Sequence, residues 1–389
     1  MKTLKYLMLV LLLQVPLILF GQSDTLTKSD TLTKKEIRKQ KKALKIEQGK
    51  PLITPLAGPA YTPEMGFTIA GGVMLSYKTK RSDSLIQRSS SPIMFGVTST
   101  GGYFFSTIVS TYWLQDKLRV YGDIWLKNMP DNYYGVGYDN AFNTPKSDST
   151  TAYKRMWWWF NPRILWQFKT HVFVGVNIDY NYTDASDPSA GVQEDLYYNE
   201  FGPVNLNSGL GVILRYDSRD VPVNAYKGMY IDFRSTFYSP SFGGDNNYQI
   251  YQLDFRKYFQ IKRPGMTIAI QAKTRLGLGN VPYAEMSQLG TPFDLRGYRW
   301  GQYRDNSLIF FLGEYRHMFM KKSGEMSRHG VVGWLGTGSI GQEVSQFRNW
   351  LTNAGLGYRF QVQPRMNVRV DIGFGRESKG FYFNFNEAF

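Results

Sequence analysis

Met366-Asn367-Val368-Arg369-Val370-Asp371-Ile372 changes from apolar to polar at every step. Side chains alternate across a strand, so the apolar residues share one face and Asn367, Arg369 and Asp371 the other. The pattern recurs upstream. Leu118, Val120, Ile124 and Leu126 interleave with Arg119, Tyr121, Asp123 and Lys127. Met229, Ile231, Phe233 and Phe237 interleave with Tyr230, Asp232 and Arg234, and Leu253, Phe255 and Phe259 with Gln252, Asp254, Arg256 and Gln260. A soluble sandwich would give the same alternation. Two further features point instead to a transmembrane antiparallel β-barrel, an all-β fold: repetition with aromatics on the apolar side, and an export signal.

The composition agrees with a barrel. Aromatics make up 16% and hydrophobic residues only 42% of 389 residues. A large conventional core is not implied, whereas an aromatic-girdled outer face with a polar lumen is. Lys2 and Lys5 precede the apolar run Leu7–Phe20, and small Gly21 follows. That order predicts a signal peptide over 1–21, cleaved near Gly21; a spanning helix would need about 20 apolar residues. The chain has no cysteine, which excludes lipoprotein attachment, disulfides and thiolate metal sites.

Residues 22–50 form a basic tail, with nine Lys or Arg against four Asp or Glu, a net of +5 within the +15 of the whole chain. Ser23–Lys28 and Ser29–Lys34 repeat Ser-Asp-Thr-Leu-Thr-Lys, and a short helix is expected over about Lys34–Gln48. The expected state is a solvated periplasmic tail, able to touch anionic lipid; export argues against nucleic acid as a partner.

From Pro51 to Phe389, sixteen strands are predicted, near 51–60, 65–78, 92–101, 103–114, 117–128, 154–168, 171–183, 205–217, 228–239, 247–261, 266–279, 307–319, 330–341, 350–363, 366–375 and 379–389. Connections after the fourth, sixth, tenth and fourteenth strands are tight. Those after the fifth, seventh and eleventh are long. Short periplasmic turns and long outer loops then place both ends in the periplasm. The last strand carries Phe381, Phe383, Phe385 and Phe389, and resembles the aromatic signal by which barrels are recognised for assembly. Any lipid-facing closing strand would also be aromatic.

Four segments carry a family resemblance. Leu295-Arg296-Gly297-Tyr298, followed by Arg304-Asp305-Asn306 and a strand ending Glu314-Tyr315-Arg316, resembles the Arg-Gly-aromatic motif of the BamA/TamA-like (bacterial surface antigen) superfamily. Leu214–Asp220, with Pro222, Asn224 and Gly228-Met229-Tyr230, is similar to its barrel-middle turn. Ala354–Arg359 and Val368–Asp371 are similar to its closing hairpin, and Tyr133-Tyr134-Gly135-Val136-Gly137 is a weaker match. The resemblance covers about 51–389 and implies an inward-folded sixth outer loop at 280–306.

An arginine inside a lumen needs acidic partners, because an unpaired buried charge is costly. The candidates for Arg296 are Asp371, on the polar face of its strand, and Glu314, which shares a face with Leu308, Phe310 and Leu312. Gly297 would permit a close backbone approach or positive φ. The family usually has an aspartate in the strand after Glu314; Gly333-Trp334-Leu335-Gly336 stands there instead. The alternative is that Arg296 is an exposed loop residue.

No catalytic constellation emerges. Gly336–Gly341 has the G-x-G-x-x-G form but lacks the following helix of a dinucleotide site. His171, His317 and His329 have no metal-ligand spacing. No enzyme activity, cofactor or metal is expected. The 29 residues of the tail are too few for a POTRA domain, the periplasmic module that family members usually carry. The resemblance implies a POTRA-less barrel in the bacterial outer membrane. Such a barrel would assist assembly or transport of outer-membrane proteins or lipids, alone or with outer-membrane or periplasmic assembly proteins. A passive porin-like channel and a structural or docking barrel are the alternatives.

Overall fold

The structure, a computed structural model, describes residues 34–62, 66–83 and 86–389. The expected signal peptide and the first part of the tail, to residue 33, lie outside the described residues. Contacts divide the chain into two units, meeting at Leu44 and Lys45. A helix, α1 (Lys34–Glu47), runs through that boundary. The second unit is a β-barrel.

Sixteen antiparallel strands pair in chain order in one sheet. The first eight are β1 (Leu52–Thr62), β2 (Gly66–Tyr77), β3 (Ser89–Thr98), β4 (Tyr103–Trp113), β5 (Leu118–Asn132), β6 (Ala152–Lys169), β7 (Val172–Ser186) and β8 (Val204–Asp217). β9 (Gly228–Tyr238), β10 (Tyr248–Gln260) and β11 (Met266–Gly279) follow. A separate two-stranded piece, β12 (Ser287–Leu289) and β13 (Tyr303–Asp305), belongs to the loop after β11. The sheet resumes with β14 (Ser307–Met320), β15 (Met326–Gly341), β16 (Leu351–Gln363), β17 (Met366–Phe374) and β18 (Lys379–Phe385).

The alternation read in the sequence is the alternation of exposure. On β7 and β8, Val174, Val176, Ile178, Leu210, Val212 and Leu214 are exposed outward, while Asn177, Asn181, Asn207 and Arg215 are buried inward. The outer band is stable only against lipid hydrocarbon, since water would leave this apolar belt unburied. No described helix is long and apolar enough to cross a membrane.

Several strand bounds differ from expectation: β5 runs on to Asn132, β7 to Ser186, and β15 begins at Met326 rather than near 330. β3 begins at Ser89 rather than near Pro92, because Pro92 pairs with Met74 of β2 inside the strand. Its pairing with β4 skips from Ser90 to Ile93, where the proline cannot donate. β18 ends at Phe385 rather than Phe389. Asn386 takes φ 61°, and the chain leaves the sheet for the lumen.

The sheet curls until β1 and β18 lie side by side: a methyl group added at Gly58 would come within 2.9 Å of the Phe383 ring. Among the described residues, no ladder joins these two strands. β1 carries Pro55 and Pro59, residues tolerated at a sheet edge because they lack an N–H.

Candidate functional site

The loop between β11 and β14 folds into the barrel. Its apolar side chains Leu289, Leu295, Tyr298 and Tyr303 pack on Leu308, Phe310, Leu312, Ile340 and Leu351. This explains why β14 presents an apolar row beside Glu314: the lumenal face there meets a protein plug rather than water.

Arg296, Arg304, Arg359 and Arg369 are among the largest fully buried side chains. Arg296 reaches both sequence-named acids. Its Nη1 donates to Asp371 Oδ2 at 2.8 Å and its Nη2 to Glu314 Oε1. Its guanidinium lies 3.7 Å from the centroid of Trp334. Trp334, standing where the resemblance leads one to expect an acid, thus offers a π face to the same cation.

The contacts close into a ring. Asp371 also accepts from Arg359 at 2.6 Å and from Arg369 at 3.2 Å. Glu314 accepts from Arg316 at 2.9 Å. Arg359 Nε then donates to Glu387 at 2.8 Å, and Arg316 lies 3.9 Å from the same carboxylate. Three carboxylates therefore face four guanidiniums from β14, β16, β17, the loop and the segment after β18. Alternation of sign is what makes such burial tolerable.

The backbone around the motif is fixed independently. Gly297 has φ 119°, and an added Cβ would lie 2.5 Å from Gly375 N and 2.6 Å from Phe374 C. Both positive φ and close approach require glycine here. Gly297 N donates to Tyr382 Oη at 2.9 Å, and Ser378 Oγ donates to Gly297 O at 2.6 Å. Tyr298 Oη donates to Thr352 O at 2.8 Å, and Asn353 Nδ2 to Arg296 O at 2.9 Å. The motif is clamped to β16, to β18 and to the turn before β18.

The other resembling segments lie nearby or below. Gly137 N donates to Arg304 O at 2.9 Å, which ties the weak match at 133–137 to the inward loop. At the end of β8, Asp217 holds Arg119 at 2.6 Å and Arg219 of the following turn at 2.8 Å, while Arg215 pairs with Asp232 of β9 at 2.6 Å. Gly336–Gly341 is part of β15 and is followed by a single 3-10 turn, Val344–Gln346, rather than the α-helix of a dinucleotide site.

Of the four terminal phenylalanines, Phe381 is exposed outward and Phe383 stands against Gly58. Phe385 packs with lumenal Met74 and Met366. Phe389 is buried inside the barrel, 6% exposed, near Tyr258. Trp334, Arg316, Arg359 and Glu387 join this cluster without having been singled out from the sequence; strand alternation places all but Glu387 on lumenal faces, which is the signal the sequence holds for them.

Outer loops cover the lumen. Tyr133, Tyr153, Tyr198, Tyr238, Tyr248, Tyr283 and Met286 form one buried cluster, with Tyr133 and Tyr283 centroids 5.3 Å apart. Below it lies a cavity of about 800 Å³, lined by ion pairs and by Trp125, Trp157, Trp159 and Trp300. Glu285, on the inward loop, borders it; burial pushes its carboxyl up to about 7, against the opposing pull of Arg155. Burial likewise pushes Asp305 up to about 6.

The model of the Omp85 superfamily domain matches residues 96–389. The structure resembles BamA from Haemophilus ducreyi lacking POTRA domains 1–3, with TM-score 0.53, 12% identity, and coverage of 86% of this chain and 69% of that one. It also resembles CdiB from Acinetobacter baumannii, with TM-score 0.52, 10% identity, and coverage of 86% of this chain and 59% of that one. At those identities the likeness is one of fold. This chain spans about three-fifths of the length of CdiB. No curated protein sequence matches.

Proposed function

The chain belongs to the Omp85 superfamily, and we propose from that premise that it assists the insertion or translocation of outer-membrane proteins or lipids. It is a barrel of the bacterial outer membrane, of the insertion and translocation type. In the proposal, residues 1–21 are a signal peptide cleaved on export and 22–50 a basic periplasmic tail. Membrane lipids and other outer-membrane or periplasmic assembly proteins are the partners.

One observation carries this reading: the inward loop is pinned by Arg296 beside the strands that border the β1–β18 boundary. The Arg296 backbone contacts, the ring and Tyr382 all lie on β14 to β18. A barrel with no ladder across that boundary among its described residues has its least costly opening there, because the fewest backbone hydrogen bonds must be broken. The site residues are then Leu295, Arg296, Gly297 and Tyr298, with Glu314 and Asp371 as anchors. Their role is to hold one side of that boundary in place. The tyrosine cluster over the outer mouth weighs against a permanently open pore.

The test is a deletion strain profiled for its outer-membrane proteins and surface lipids. Loss of specific clients supports the proposal. Unchanged composition with reduced solute uptake would point to a passive channel, and no change in either to a structural barrel.

A further inference from the structure

The segment Asn386–Phe389 is held in the lumen by more than its own chain connection. Asn386 leaves the strand at φ 61°. Glu387 is 7% exposed and uses both carboxylate oxygens: Oε2 takes Arg359 at 2.8 Å and Oε1 takes Asn367 at 2.7 Å. Arg316 Nη2 donates to Phe389 O at 2.9 Å, and its guanidinium lies 4.9 Å from the Phe389 ring centroid. Tyr258 of β10 completes the pocket around that ring. The two arginines that hold the segment, Arg316 and Arg359, are the same two that share Glu314 and Asp371 with Arg296.

We propose that residues 386–389 form a lumenal latch that is locked and released together with the 280–306 loop. Two routes connect them. One is charge. The ring holds Arg296, Arg316, Arg359 and Arg369 against Glu314, Asp371 and Glu387. Withdrawing Glu387 leaves four cations against two anions, which weakens the hold on Arg296, the cation carried by the loop. Withdrawing Arg296 removes one of the cations that attract the acids, Glu387 included. The other route is backbone. Tyr382 of β18 accepts from Gly297 N, so the loop positions the strand whose end carries the latch. Coupling between two sites is reciprocal, so each element should report the other's release.

The latch goes beyond the proposed function and does not require it: a loop–segment coupling would exist whether or not the barrel handles clients.

The absence of cysteine from the sequence gives a background-free test. Ala388→Cys reports the latch and Leu289→Cys the loop; both positions are buried, at 9% and 0% exposure. Each is introduced into the full chain, refolded, and checked for heat-modifiable gel mobility before reaction with a charged maleimide. Arg296→Ala should speed labelling of the cysteine at 388, and Glu387→Gln that of the cysteine at 289, each by roughly 5–150-fold, the range of a typical coupling between sites. If Arg296→Ala does not refold, Arg296→Gln is used, which removes the charge while keeping a polar side chain in the site. Unchanged protection of either reporter in a folded variant overturns the coupling. Because no client enters the assay, its failure is separate from any failure of the functional proposal.

Discussion

Asp371→Ala should cost more stability than Arg296→Ala, although Arg296 belongs to the family motif. Asp371 serves three guanidiniums, those of Arg296, Arg359 and Arg369. Its removal leaves four cations facing two carboxylates. Arg369 then keeps the Pro292 carbonyl, at 2.8 Å, and the Phe293 ring, but no ion-paired carboxylate. Breaking a buried pair so that charge is left uncompensated costs about 3–5 kcal/mol. Arg296→Ala is milder in this respect, because Glu314 keeps Arg316 and Asp371 keeps Arg359. Two charge-assisted hydrogen bonds and the contact with Trp334 are lost, but no carboxylate is left without a guanidinium, so the cost falls below that range. The assay is guanidinium unfolding of the refolded barrel in lipid vesicles, for each variant and the double mutant. A coupling of about 0.5–3 kcal/mol is expected, as for residues sharing one network. A reversed order of the single variants would refute the charge-count argument. Additivity within about 0.5 kcal/mol would refute the pair itself.

Trp334→Leu should cost about 1–2 kcal/mol in the same assay by removing the π face from Arg296, and should cost little in an Arg296→Ala background. Gly297→Ala should destabilise the loop by about 1–3 kcal/mol or more, since φ 119° and the 2.5 Å approach to Gly375 N both oppose a side chain; protease nicking between β11 and β14 would reveal it. Glu285 gives a pH dependence. Its carboxyl is raised to about 7 from 4.5 in the folded state, so the folded loop favours the protonated form. The ionisation penalty is absent below about pH 4.5, grows through the window to about pH 7 and persists above it. Loop protection should therefore fall as pH rises through that window, and Glu285→Gln should flatten the profile measured by proteolysis.

Strand alternation made the fold legible, because in a closed barrel every strand separates lipid from lumen with the same period. β16 and β17, read at Ala354–Arg359 and Met366–Ile372, kept the expected faces. Alternation misleads where the lumen is not wet. Leu308, Phe310 and Leu312 look lipid-facing, yet they turn inward because Leu295 and Tyr298 cover them. Trp334 was unreadable as a partner for Arg296, since an inward indole in a strand resembles packing and the pairing depends on a loop from far along the chain. Phe389 has the parity of Phe381 and Phe383, so the period alone extends β18 to it. The only local hint of the break was Asn386, a residue type that enters positive φ more readily than most.

The most direct measurement of the central claim is reconstitution. The purified barrel, in vesicles of bacterial outer-membrane phospholipid, is mixed with an unfolded outer-membrane protein, and the appearance of its heat-modifiable folded form is timed against protein-free vesicles. An insertion-type barrel predicts faster folding of the client, with part of the gain lost in a folded Arg296→Ala variant. Equal rates with and without the barrel would contradict the account.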